Sequence, residues 1–229
     1  MRYVLPSEMP STFDAEALKA QAVCARTFVY SQMKNTQYAL YGANIDNTTA
    51  FQVYNASETK QSTDEAVKAT AGQVVSCGGS LITCYYFSTS AGKTEDMEVW
   101  SSSTPDFIHK VESVDDNSPY YRWTSELDLS AYNDPQYGTA TGISVDKTSD
   151  AGYVLSLTIN YGNKSQTFTA ENDIRKALGH YQKKVTLNDG SARENMSMIP
   201  SACFSVSAGA NGHYTLCLLY TSDAADDLI

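Results

Sequence analysis

From Asp14 to Met33 the chain contains neither glycine nor proline, so nothing in that stretch interrupts a helix, and the aspartate in front of it suits an N-cap. Glu16 falls in the first turn, where a negative charge meets the partial positive end of the helix dipole. Leu18, Ala22, Ala25 and Val29 follow at steps of four, three and four, which lines them up on one face. The spacing predicts a long helix over Ala15 to about Met33 that buries a narrow, alanine-rich stripe against a close neighbour. Ahead of it, Met1 to Leu5 reads as the interior of a strand.

The remainder is mixed. Ser62-Thr63-Asp64-Glu65 sets serine and glutamate where each side chain can bond the other's backbone amide at a helix start, and Gly72 suits the end of that short helix. Gln73 to Cys77 and Ser80 to Phe87 flank Gly78-Gly79, which tolerates the positive φ of a two-residue hairpin turn. That register puts Cys77 opposite Ser80 and Cys84 opposite Gln73, and so disfavours a Cys77–Cys84 disulfide. Ser88 to Asn133, rich in Ser, Asp, Pro and Tyr, reads as surface loops with short helices, the segments that usually carry function. Residues 142–146 and 153–161 alternate with period two around a turn at Asp150-Ala151-Gly152, and 164–169 adds a third strand, giving a meander. A helix from Ala170 to Leu178 stopped by Gly179, and a strand at 204–207, complete an α+β pattern: a long N-terminal helix packed on mixed or antiparallel sheet with hairpins and a meander.

A length of 229 residues, 42% of them apolar, fits one elaborate globular domain. No segment approaches the unbroken apolar run of roughly 18 residues that a membrane helix requires. The net charge of −10 argues against nucleic acid as a partner, because that binding needs basic surface to displace counterions. The five cysteines, at 24, 77, 84, 203 and 217, include no Cys-x-x-Cys pair, so neither a cysteine-based zinc site nor a disulfide framework is indicated and buried free thiols are expected. The last stretch, from Cys217, reads as the translation of a transposase sequencing adapter. The domain is therefore expected to span 1–216, with an incomplete N-terminus, and 217–229 to be a non-native tail.

Val4-Leu5-Pro6-Ser7-Glu8-Met9-Pro10, followed by Glu16-Ala17-Leu18-Lys19-Ala20-Gln21-Ala22-Val23-Cys24-Ala25-Arg26-Thr27-Phe28, resembles the signature of the sporulation stage II protein D family (SpoIID/LytB). Gln52-Val53-Tyr54, Thr70-Ala71-Gly72, Ser88 to Glu95, Val99-Trp100, Arg175 to Gly179 and Ser201 to Val206 fall in the family's order, so the resemblance covers about residues 3–216. It implies an extracytoplasmic protein, membrane-anchored or secreted as a whole, working on bacterial peptidoglycan. Sporulation members are lytic transglycosylases that cleave peptide-stripped glycan strands to 1,6-anhydro-muramic acid products; LytB-type relatives are described as enhancers of a wall amidase. Peptidoglycan glycan strands are the implied partner, with a wall amidase or engulfment-complex protein as further ones.

The resemblance makes Glu8 the acid. Such a reaction needs a single carboxyl that first gives a proton to the leaving oxygen and then takes one from the substrate's own 6-hydroxyl, and Glu8 is the only acid before Asp14. Lys19 and Arg26 are two helical turns apart and share a face, so they could form a cationic ridge for the lactyl carboxylate of peptide-free muramic acid; a salt bridge with Glu16 or a solvated face is the alternative. Ser90 and Gly92, in a loop of small residues that lets a sugar approach the backbone, and Tyr121, as a ring for stacking, are further candidate substrate-binding residues. Family members usually carry Gly-Gly where this chain has Ala91-Gly92. Some bind zinc through His and Cys just before the Gln-Val-Tyr segment; Ala50-Phe51 stands there instead, and no metal or other cofactor is expected. The family's late Gly-His-Gly-x-Gly-Met-Ser-Gln motif is absent. His213 reads as a hairpin turn residue, and His109 and His180 have no recognisable partner.

Overall fold

The computed structural model describes residues 1–48, 51–56, 59–100 and 104–218; most of the expected tail, 219–229, lies outside them. The chain divides into two compact units, residues 1–87 and 88–229.

In the first unit, Leu5–Glu8 forms α1, Ala15–Ser31 forms α2 and Gln61–Ala69 forms α3, followed by the short antiparallel pair β1, Ser76–Cys77, and β2, Ser80–Leu81. The start of the chain is a helical turn and not the expected strand. Pro6 sits at its first positions, where the missing N–H is no loss and the fixed φ favours a helix. α2 begins as its sequence demands: the Asp14 carboxylate accepts from the Glu16 N–H at 2.8 Å. Leu18, Ala22 and Ala25 are buried, and Leu5 of α1 and Ala66 of α3 close the cluster over Leu18 and Ala22. Alanines on α2 allow these helices to approach closely. The predicted capping box of α3 is not formed. Lys60 is the N-cap, with no side-chain bond, because Ser62 lies inside the helix and gives its hydroxyl to the Ser11 carbonyl at 2.7 Å. That contact ties α3 to the loop after α1. Gly78 and Gly79 both take positive φ and pair Cys77 with Ser80 as expected, although the ladder is only two residues long.

The second unit contains β3, Gly92–Lys93; β4, Glu112–Ser113; β5, Trp123–Asp128; β6, Asn133–Asp134; β7, Gly138–Thr139; β8, Gly142–Thr148; β9, Val154–Tyr161; β10, Lys164–Phe168; α4, Glu171–Gly179; β11, Gln182–Leu187; β12, Ala192–Arg193; β13, Phe204–Ala208; and β14, His213–Leu218. A five-stranded antiparallel sheet runs β12-β11-β5-β14-β13, and the expected meander is the sheet β10-β9-β8. Between them lies one core, in which Val154, Leu157 and Ile159 of β9 meet Trp123 and Leu127 of β5, Val185 of β11, Phe204, Leu216, and Ile174 and Leu178 of α4. Three of the longer strands were not foreseen, β5, inside the stretch read as loops, β11 and β14, nor were the short strands β3, β4, β6, β7 and β12. The predicted α+β class is the one observed. His213 opens β14 just after the turn at Asn211-Gly212, both at positive φ, and Cys217 pairs with Thr124 and Ser205, so β14 extends past the expected domain boundary.

Gly179 is needed for closeness and not for φ: a Cβ there would stand 2.5 Å from the Ser197 carbonyl oxygen. α4 thus ends against the chain that leads into the core residue Ile199. The three carboxylates of Glu95, Asp96 and Glu98 converge on the Lys110 ammonium, at 2.7, 3.6 and 3.4 Å. Glu95 is fully buried, so Lys110 supplies the countercharge that its burial demands.

Candidate active site

Glu8 is the last residue of α1 and is half-buried. The turn that carries it aims two side chains at the segment 52–55. Glu8 Oε1 accepts from the Val53 N–H at 2.5 Å. Ser7 Oγ accepts from the Asn55 N–H at 3.0 Å and donates to the Tyr3 carbonyl at 2.7 Å. The Tyr86 hydroxyl, from the end of the unit, lies beside the same carboxylate. Burial pushes the Tyr86 phenol up, the Gln52 amide donating to it works the other way, and the Glu8 charge beside it adds to the rise. Gln52 is itself buried, its Nε2 shared between the Ala25 carbonyl at 3.2 Å and the Tyr86 oxygen at 3.4 Å. Gln52 and Tyr86 thus form a polar pair beside Glu8, anchored on α2 through the Ala25 carbonyl. The Val53 N–H fixes the carboxylate in orientation while part of the residue stays open to solvent.

The cationic ridge does not form as expected. Arg26 is buried at 7% exposure, with its guanidinium donating to the Gln73 carbonyl at 2.9 Å, the Val67 carbonyl at 3.3 Å and Thr70 Oγ1 at 3.3 Å. It closes the C-terminal end of α3, whose last carbonyls have no helical donor. Lys19 lies 2.6 Å from Glu16 one turn earlier, the pairing that its sequence position left open.

In the second unit, Ser90 is 1% exposed. Its hydroxyl donates to the Ser113 carbonyl and its N–H to Asp115 Oδ2, both at 2.6 Å, which pins the small-residue loop to β4. Gly92 takes φ +93 and pairs with Ser113. Tyr121 is buried at 3% exposure, so its ring offers no face for stacking; the partly exposed ring is its neighbour Tyr120. Tyr120, Ser88, Thr89, Arg175 and Ser201 line a cavity of about 270 Å³. His180 stacks on Tyr132 with ring centroids 4.5 Å apart.

Sequence reasoning singled out Glu8 but not the Gln52–Tyr86 pair beside it. Gln52 was visible only as part of a family motif, and Tyr86 only as one of sixteen tyrosines. Among the described residues no helix is long and apolar enough to cross a membrane.

A family model described as stage II sporulation protein, SpoIID, matches residues 1–76, the part that holds Glu8, α2, α3 and the Gln52–Tyr54 segment. The chain is 44% identical over 128 residues to the protein named amidase enhancer of Bacillus subtilis (strain 168), covering 56% of this chain and 17% of that protein. It is 32% identical over 196 residues to stage II sporulation protein D of the same organism, covering 77% of this chain and 55% of that protein. The stage II sporulation protein D of Bacillus amyloliquefaciens is 29% identical over 196 residues, with the same coverage. The chain thus spans about half the length of the two sporulation proteins.

Proposed function

Because the chain belongs to the SpoIID family of stage II sporulation proteins, we propose that it is the acid-bearing part of an extracytoplasmic lytic transglycosylase that cleaves peptide-stripped peptidoglycan glycan. The observation that carries this reading is the setting of Glu8: a half-buried carboxylate held by the Val53 N–H, with the Tyr86 hydroxyl beside it. Glu8 gives a proton to the glycosidic oxygen as the bond from C1 to that oxygen breaks. Its carboxylate then takes the proton of the muramic acid 6-hydroxyl, whose oxygen bonds to C1 and closes the 1,6-anhydro ring. The acid is regenerated and no water is consumed, so one carboxyl suffices. The Val53 N–H keeps the carboxyl from rotating away between the two transfers. Lys19, at the exposed end of α2, is the cation we assign to the lactyl carboxylate, released from Glu16 when glycan binds.

The test is release of 1,6-anhydro-muramic acid products from amidase-treated peptidoglycan, read by mass spectrometry, with Glu8→Gln as the control. Product from the parent and none from the variant is expected. Equal product from both would overturn the assignment of Glu8. The 44% identity to a protein named amidase enhancer favours a second reading, a non-catalytic glycan-binding enhancer of a wall amidase. Under that reading neither protein makes anhydro product and both stimulate a wall amidase equally.

A further inference from the structure

The same four-residue turn that presents Glu8 also holds two exposed aromatic rings. Tyr3 and Tyr54 are 38% and 44% exposed, and their ring centroids are 5.8 Å apart at an interplanar angle of 59°. Neither belongs to the hydrophobic cluster of the unit, which is built from Leu5, Leu18, Ala22 and Ala66 with Met9 and Val67. The backbone that carries them is nevertheless fixed. The backbone of Tyr54 is gripped on either side, by Glu8 through the Val53 N–H and by Ser7 through the Asn55 N–H. The Tyr3 carbonyl accepts from that same Ser7 hydroxyl. Glu8 and the backbone that carries the two rings are therefore tied to one another by hydrogen bonds, and each tyrosine keeps more than a third of its surface in water.

Two tyrosines that flank a candidate acid, at the water boundary and with no part in the core, stand where a ligand of that acid can reach them. A pyranose offers a complementary surface. Its C–H face is apolar while its hydroxyls and amide remain wet, and tyrosine gives a rigid, amphipathic contact with little rotamer entropy to lose. We propose that Tyr3 and Tyr54 form a sugar-stacking subsite contiguous with Glu8, which seats one N-acetylamino-sugar ring of a β-1,4-linked glycan. The proposal rests on the reading of Glu8 as the residue that faces the glycan. It adds the surface that gives the chain affinity for a neutral sugar independently of the lactyl carboxylate.

The experiment measures binding of a β-1,4-linked N-acetylglucosamine tetramer by calorimetry to the full chain carrying Glu8→Gln. This readout needs no turnover, so a failure of the transglycosylase reading appears in the product assay and not here. Adding Tyr54→Ala or Tyr3→Ala is expected to weaken binding by about tenfold, while Tyr54→Phe and Tyr3→Phe stay within about twofold because the ring and not the hydroxyl makes the contact. In the unmutated chain, bound tetramer is expected to protect Tyr3 and Tyr54 from nitration, mapped by mass spectrometry, which removes any dependence on how the variants fold. Unchanged affinity in both alanine variants, equal loss in the phenylalanine and alanine forms, no measurable tetramer binding, or nitration that the tetramer does not slow would each overturn the subsite.

Discussion

Replacing Arg26 by methionine separates two roles that the sequence alone leaves merged. Methionine keeps most of the apolar stem and removes the three guanidinium contacts to Gln73, Val67 and Thr70. Thr70 Oγ1 retains its bond to the Ala66 carbonyl, so its loss is small. The Gln73 and Val67 carbonyls lose the donor that Arg26 supplied, where a buried acceptor left unpaired costs about 1–3 kcal/mol. Gln73 is exposed and Val67 half-buried, so water can reach both carbonyls, the lower end of that range applies to each, and a total of about 2 kcal/mol is expected. In a unit of 87 residues that lowers the melting midpoint by roughly 8–16 °C. Circular dichroism at 222 nm is dominated by α2 and α3, both in this unit, whereas Trp100 and Trp123, the two tryptophans, are in the other. The dichroism midpoint is therefore expected to fall further than the tryptophan fluorescence midpoint. A variant that melts like the parent but loses affinity for peptide-free glycan would refute the reasoning and return Arg26 to the substrate.

Three more outcomes follow from the same structure. Lys110→Met leaves the fully buried Glu95 without its cation and should destabilise by on the order of 2–3 kcal/mol in urea unfolding, less than for a wholly buried pair because the ammonium keeps some water; an unchanged midpoint would mean that the cluster is inert. The Lys183 ammonium, followed by the Ser130 hydroxyl and N–H, holds the Asp128 carboxyl well below the usual carboxylate range. Its contribution is thus complete above the unfolded value of about 4 and disappears as pH falls through the depressed folded value. Asp128→Asn should accordingly be less stable than the parent at pH 7, with a gap in thermal midpoint that narrows in acid; a gap independent of pH would exclude the ion pair as its source. Burial first, then the neighbouring Cys24 thiol, pushes the Cys84 thiol up to about 11, while Cys77 is exposed. At pH 8 a disulfide reagent should label Cys77 quickly and leave Cys84 protonated and unlabelled until the chain is unfolded, as counted by mass spectrometry.

Much of the fold was legible where one local rule acts alone. α2 has a cap, a clean interior and an apolar stripe, and β8 to β10 alternate between glycine turns. Legibility fails where rules compete. Pro6 marks a strand's limit and a helix's first turn equally well, and only the burial of Leu5 against α2 and α3 decides for the helix. β5 buries Trp123, Ser125 and Leu127 in alternation, but a serine at its centre dilutes the apolar signal. β11 is broken by a register shift between Gln182 and Lys184, so its buried positions do not keep a period of two and two lysines dominate its appearance.

The candidate site shows the same limit at the level of chemistry. Glu8 could be found because a side chain has a letter. Its partner the Val53 N–H could not, because every residue except proline carries that donor and only the approach of α1 to the segment 52–55 selects this one. Arg26 is the converse case. Its charge is plain in the sequence, and its spacing from Lys19 suggests a shared purpose, but its acceptors are mainly backbone carbonyls at the end of α3. A cation seven positions from another on a helix is evidence of a common face and nothing more. Whether that face meets water, a ligand or a neighbouring helix end is decided by what packs on it, and here the end of α3 meets Arg26 while Lys19 keeps about a third of its side chain in water beside Glu16. The carboxylate-recognition role proposed for the pair therefore rests on Lys19 alone, and a Lys19→Met variant should lose preference for lactyl-bearing over plain N-acetylglucosamine strands without the drop in melting midpoint expected of Arg26→Met. Equal preference in parent and variant would remove the cation from the site as well, leaving the carboxylate and the tyrosine rings to account for binding.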